Sequence, residues 1–133
     1  MRRQFRLPSD DEEYLNACGF SWETVIDNQV QRVVIHSFPV PPGYNHSVVD
    51  LNIHIQSGYP DAQIDMAYFY PSLARNDGRP INNVHITDNF DGKQWQGWSR
   101  HRTPVHPWRP GIDCIGTHLA LVEEWLKKEL TKS

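Results

Sequence analysis

Apolar and polar positions alternate regularly in the first half of the chain and recur at helical spacing at its end. "SVVDLNIHI" gives the cleanest alternation. Val49, Leu51, Ile53 and Ile55 point one way, and Asp50, Asn52 and His54 the other, as in an antiparallel strand with one face buried. Upstream, "FSWETVIDNQVQRVVIHSF" predicts two strands about a turn at Asp27-Asn28-Gln29. Phe20, Trp22, Thr24 and Ile26 then share one face, and Val33 and Ile35 share another. Downstream, "IDMAYFYP" sets Ile64, Met66, Tyr68 and Tyr70 on one side, until Pro71, which has no N–H for a ladder, ends the strand.

Helical patterns flank these strands. "LPSDDEEYLNACGF" predicts a short helix with Ser9 as N-cap and Glu12 completing a capping box. Asp10 and Asp11 suit the positive end of its dipole, and Gly19 is a natural stop. In "DCIGTHLALVEEWLKKELTKS", Asp113 is a candidate N-cap, and Leu119, Val122, Trp125 or Leu126, and Leu130 follow at helical spacing. From Ser72 to Gly111 neither period survives. "LARNDGRPI" reads as a loop with its tip at "NDG", and "NNVHI" as a short strand. The order predicts an α+β fold: an N-terminal helix, a four-stranded antiparallel meander, a long loop and a C-terminal helix. An irregular segment of about 40 residues is uncommon in a compact fold, and such segments tend to be functional.

The totals narrow the function classes. A length of 133 residues suits a single domain over 1–133. Five Trp, five Tyr and five Phe within a 38% hydrophobic chain provide for a packed core. A formal charge of -3 supplies no global basic field for nucleic acid. No stretch approaches the roughly 18 apolar residues of a membrane span, and the start "MRRQFRLPSDDEEY" lacks the apolar segment of a secretory signal. Cys18 and Cys114, far apart, form neither a metal-finger spacing nor a disulfide framework, which favours a reduced, cytoplasmic setting.

Candidate chemistry lies in "DGKQWQGWSRHRTPVHPWRPG", Asp91 to Gly111, where Ser99, Arg100 and His101 are adjacent. A serine hydroxyl needs a base to become a nucleophile, and histidine is the usual one. An arginine can stabilise an oxyanion. The competing reading makes these solvated loop side chains, with Trp95, Trp98 and Trp108 closing the edge of the core. No third group can be identified from the sequence. Cys114 falls in the first turn of the last helix, where the dipole favours a thiolate, or else is a small buried hydrophobe beside Ile115. His36 and His54 fall within strands, on faces expected to be exposed. His85, His101, His106 and His118 match no zinc spacing, and "NDGRP" and "FDGK" lack the calcium-loop and phosphate-loop patterns.

The segments "LPSDDEEYL", "FPVPPGYNHSVVDLNIHI", "GYPDAQIDMAYFYP", "FDGKQWQGWSRHRTP" and "WRPGIDCIGTHLALVEEWL", taken in order, resemble the prokaryotic ubiquitin-conjugating-enzyme-like family E. The resemblance covers nearly the whole chain. It implies a ubiquitin-conjugating-enzyme-like fold, in which a "YP" turn joins the second and third strands and a Trp-Pro element precedes the helix after the active site. It also implies a bacterial operon with an activating enzyme, a ubiquitin-like protein and often a peptidase, some such operons being associated with antiphage defence. The expected activity is acyl transfer: the C-terminal acyl group of the ubiquitin-like protein passes from the activating enzyme to this chain and then to a protein target. No cofactor is implied, because ATP is used by the activating enzyme.

The chain departs from that family pattern at the site. Conjugating enzymes carry a His-Pro-Asn triplet with the cysteine several residues later. Here the triplet is missing, the nearest residues being His85 and Asn89, and no cysteine occurs in "WQGWSRH". Three alternatives follow. Ser99 carries the acyl group as an oxyester, with His101 as base and Arg100 or Asn89 at the oxyanion. Cys114 serves as the nucleophile instead. Or the chain is a non-catalytic variant that binds a ubiquitin-like protein or the activating enzyme.

Overall fold

A computed structural model of the chain describes residues 1–132. Helix α1 (Ser9–Ala17) is followed by β1 (Trp22–Asp27), β2 (Val30–Pro39), β3 (Val48–Ile55), β4 (Ala67–Tyr70), β5 (Ile86–Phe90), β6 (Lys93–Trp98) and helix α2 (Ile115–Glu129). All six strands form one antiparallel sheet in the order β1-β2-β3-β4-β6-β5. The α+β class holds, with a helix near each end of the chain. The expected count of four strands does not: the stretch from Ser72 to Gly111 contains a hairpin, β5–β6, that extends the sheet beyond β4.

Local chemistry explains the turns. Asn28 and Gln29 both adopt positive φ, at 51° and 65°, the conformation whose twist matches a two-residue hairpin. Asp91 and Gly92 do the same at 60° and 71° between β5 and β6. The register pairs Trp22 with Ile35 and Thr24 with Val33. Antiparallel partners point to the same side, so Val33 and Ile35 share the Trp22 face, contrary to the expectation that they point elsewhere.

That face is the core. Val33, Ile35, Leu51, Ile53, Phe69 and Trp98 are buried on it against Leu15 of α1 and Ile115, Leu119, Val122 and Leu126 of α2. Of the alternatives at the last helix, Leu126 is the core residue and Trp125 is only partly buried.

The opposite face buries a second, smaller cluster of Val25, Val34, Tyr68, Phe90 and Trp95. At its centre Asp88 of β5 accepts two hydrogen bonds from Arg32 of β2, at 3.0 Å each. It also accepts one from Asn52 at 2.8 Å and meets His54 Nε2 at 2.9 Å. Strand β5 is four places from β2 in the sheet order, so these contacts require the sheet to curl until its far edge closes over its own back face. His54 is accordingly half-buried and stacked on Tyr68 at 4.4 Å, rather than exposed.

Both helix starts differ from expectation by one residue. Pro8, not Ser9, occupies the N-cap of α1, and Glu12 reaches back to the Leu7 N–H and to Arg6. Cys114, not Asp113, is the N-cap of α2, because the Asp113 carboxylate is taken by the backbone and side chain of Arg109. Strand β4 starts at Ala67, later than the alternation implies. Met66 has φ 60°, which breaks the pleat and releases Asp65 from any ladder.

Candidate functional site

Ser99 follows directly on β6. Its N–H donates to the Asn83 carbonyl at 2.9 Å, which anchors the chain where the strand ends. The next residues turn back against the segment before β4: the Met66 N–H donates to the Arg100 carbonyl at 3.2 Å, and the Arg102 side chain donates to the Ile64 carbonyl at 3.3 Å. Two irregular segments, one entering β4 and one leaving β6 at the same end of that antiparallel pair, are thereby laced together.

This lacing assembles a polar chain. Ser99 Oγ lies 3.0 Å from His101 Nε2, and His101 Nδ1 lies 2.7 Å from Asp65 Oδ2. The other Asp65 oxygen accepts the Arg102 N–H at 3.3 Å. A carboxylate accepts and cannot donate, so the proton on the neutral imidazole sits at Nδ1. Nε2 is then left with its lone pair toward the serine hydroxyl. The arrangement sets an imidazole lone pair beside a hydroxyl, the geometry that base-assisted attack by a serine requires, and Asp65 is the third group that the sequence did not reveal.

A buried layer supports it. The His118 ring, fully enclosed, receives a hydrogen bond at Nδ1 from Arg102 at 3.0 Å and donates from Nε2 to the Met66 carbonyl at 2.8 Å. Burial, reinforced by the nearby Arg102 charge, lowers its pKa from 6.5 to about 4, so it is neutral near pH 7. Arg102 also stacks over Trp108 at 4.9 Å. His118 thus grips both segments that carry the Ser99–His101–Asp65 chain through Arg102 and the Met66 carbonyl.

The remaining predicted residues lie elsewhere or are otherwise engaged. Arg100 is adjacent to Ser99, but its guanidinium donates to buried Glu129 at 2.9 Å and to the Asn82 carbonyl at 3.0 Å, over the Trp98 ring. Asn89 sits opposite Gln94 near the β5–β6 turn. Five residue steps along β6 and just past its end lead from Gln94 to Ser99, roughly 16 Å. Cys114 is at the other end of α2 from the Glu129 that Arg100 holds. There the Ile115 N–H is received by Tyr59 Oη at 3.0 Å and Asp11 Oδ1 at 3.3 Å, and the Cys114 N–H by Thr117 Oγ1 at 3.0 Å. The structure therefore joins Ser99 to His101, and leaves Asn89 and Cys114 outside that cluster.

Ser99 and His101 open onto a groove of about 290 Å³ along the C-terminal half of α2, lined also by Arg102, His106, Trp125 and Lys128. Among the described residues no group of three or more His, Cys, Asp or Glu side chains gathers as a metal site. No helix among them is long and apolar enough to cross a membrane.

Two helices on one face of an antiparallel sheet, with a polar cluster where an inner strand ends, define an α+β protein with its candidate chemistry in the loops. Within that class the chain belongs to prokaryotic E2 family E, whose family model matches residues 7–129. The family gives it a ubiquitin-conjugating-like role, and implies in general a ubiquitin-like protein and an activating enzyme as partners. No curated protein and no solved structure matches the chain.

Proposed function

We propose that this chain is an acyl carrier for a ubiquitin-like protein. It accepts the C-terminal acyl group from an activating enzyme on Ser99, as an oxyester, and passes it to a protein target. Family membership supports the role. The observation that carries the serine chemistry is the chain of contacts from Ser99 Oγ through His101 to Asp65, at 3.0 and 2.7 Å. His101 takes the hydroxyl proton as Oγ attacks the thioester carbonyl, and the sulfur of the activating enzyme leaves as the thiol, taking that proton from His101. An acceptor amine then attacks the oxyester, with His101 again receiving a proton and returning one to Oγ.

A second reading, a non-catalytic variant that binds the ubiquitin-like protein or the activating enzyme, is favoured by one observation. The Arg100 guanidinium is engaged by Glu129 and by carbonyl groups, so it does not serve a developing oxyanion without rearranging. Charging assays separate the readings. The protein is incubated with its activating enzyme, its ubiquitin-like protein and ATP. A covalent adduct that resists thiols and yields to hydroxylamine, and that disappears in Ser99→Ala, is the expected result. An activating enzyme that charges itself but forms no adduct with this chain points to the binding variant.

A further inference from the structure

A thiol is a few per cent ionised at neutral pH and needs little help to attack a carbonyl, whereas a hydroxyl needs a base to remove its proton. Here the base is present and aimed. Asp65 fixes the ring through Nδ1, and Nε2 faces the hydroxyl at 3.0 Å. Hydroxyl, Nε2, Nδ1 and carboxylate, in that order, make up the relay by which serine hydrolases form and break acyl-enzymes. Nothing at the site reserves the second half of such a reaction for an amine. The His101 side chain is 60% exposed, and the groove it shares with Ser99 is open to solvent. A base that accepts a proton from an incoming amine accepts one from water.

We propose that the protein is also a serine hydrolase of activated acyl esters and thioesters, working through Ser99, His101 and Asp65 with water as the acceptor and without any activating enzyme. This rests on the reading of Ser99 as the acyl-bearing group. In the first step Ser99 Oγ bonds to the acyl carbon while its proton moves to His101 Nε2. The bond from that carbon to the leaving oxygen or sulfur breaks, and the leaving group takes the proton from His101. In the second step a water oxygen bonds to the acyl carbon as one of its protons moves to His101 Nε2. The carbon–Oγ bond breaks and Oγ recovers the proton. One ester or thioester and one water give one carboxylic acid and one alcohol or thiol, and Asp65 stays ionised throughout. For a carrier, the consequence is self-discharge: a charged chain that meets no target releases the ubiquitin-like protein intact.

The test uses the full chain with p-nitrophenyl acetate and, separately, a fluorophosphonate probe. The expected result is turnover of the ester above the buffer rate, with the probe attached to Ser99. Ser99→Ala abolishes both, and His101→Ala and Asp65→Asn each lower turnover by about 10²-fold or more. Circular dichroism of the variants shows that the fold is kept. Turnover that survives in Ser99→Ala, or that is lost only in Cys114→Ser, overturns the proposal. So does an acetylated Ser99 that never releases its acetyl group, which removes the hydrolase and leaves the carrier intact. Ester turnover without any ATP-dependent charging by a competent activating enzyme does the reverse, keeping the hydrolase and removing the carrier.

Discussion

The Asp65 carboxylate accepts a 2.7 Å hydrogen bond from His101 Nδ1, across 36 residues of chain. That bond decides which ring nitrogen carries the proton, and so decides whether Nε2 is a base toward Ser99. Asp65→Asn removes the negative charge and offers an amide that can pair with either tautomer. We expect single-turnover charging of Ser99 to slow by about 10²-fold or more, with little change in thermal midpoint, since the pair lies at the surface. An unchanged charging rate in Asp65→Asn removes Asp65 from the mechanism.

His118 makes stability depend on pH. Its pKa falls from 6.5 to about 4 on folding, chiefly through burial, so between those values the unfolded chain binds more protons than the folded one. Stability is complete above pH 6.5, falls as pH drops toward 4, and loses on the order of 3 kcal/mol over that span. Half-buried His54 is shifted the same way and adds to the slope. Glu23 and Asp88, both lowered to about 2, act only at lower pH. His118→Gln keeps a donor for the Met66 carbonyl and an acceptor for Arg102 but does not titrate. Urea unfolding at pH 5 and pH 7 should show a smaller difference in this variant than in the parent. An equal difference in the two proteins rules out His118 as a source of the slope.

The closed back face depends on Asp88. Arg32 is nearly enclosed, and its charge is met by the Asp88 carboxylate and by carbonyl groups of Asp27 and Val30. Asp88→Ala leaves a buried guanidinium without its counter-charge, at a cost of about 3–5 kcal/mol. Chemical denaturation measures it. A loss below 1 kcal/mol shows that β5 is not held by this ion pair.

Gly97 lies two residues before Ser99, where a side chain has no room. A Cβ there would stand 2.9 Å from the Ile86 carbonyl oxygen and 2.9 Å from the Tyr68 ring. Gly97→Ala forces β6 away from its neighbours and moves Ser99 with it. The variant should lose both thermal stability and charging rate, with charging falling further than stability alone explains at temperatures where the fold persists. Normal charging in a folded Gly97→Ala protein shows that the placement of Ser99 does not depend on this contact.

How much of this was legible in the sequence differs by element. The strand from Val48 to Ile55 and the last helix announced themselves, because their apolar residues follow a single period. The β5–β6 hairpin did not. Trp95 and Trp98 are both buried yet face opposite sides of the curled sheet, so apolar residues appear on both faces and the alternation vanishes. The "DG" at Asp91-Gly92 was the one local signal of that hairpin.

Ser99 and His101 were legible as neighbours two residues apart. Asp65 was not, since its placement needs the positive φ of Met66 and the docking of two distant segments. His118 was one of seven histidines and was weighed only against zinc spacings, which it does not match; only its buried contacts give it a role.

The most direct test of the central claim is the attachment point itself. After ATP-dependent charging and tryptic digestion under mildly acidic conditions, mass spectrometry should find the C-terminal remnant of the ubiquitin-like protein on Ser99, within the peptide Gln94–Arg100, through a bond that hydroxylamine cleaves. A remnant on Cys114 instead, released by thiols and undiminished in Ser99→Ala, contradicts the account.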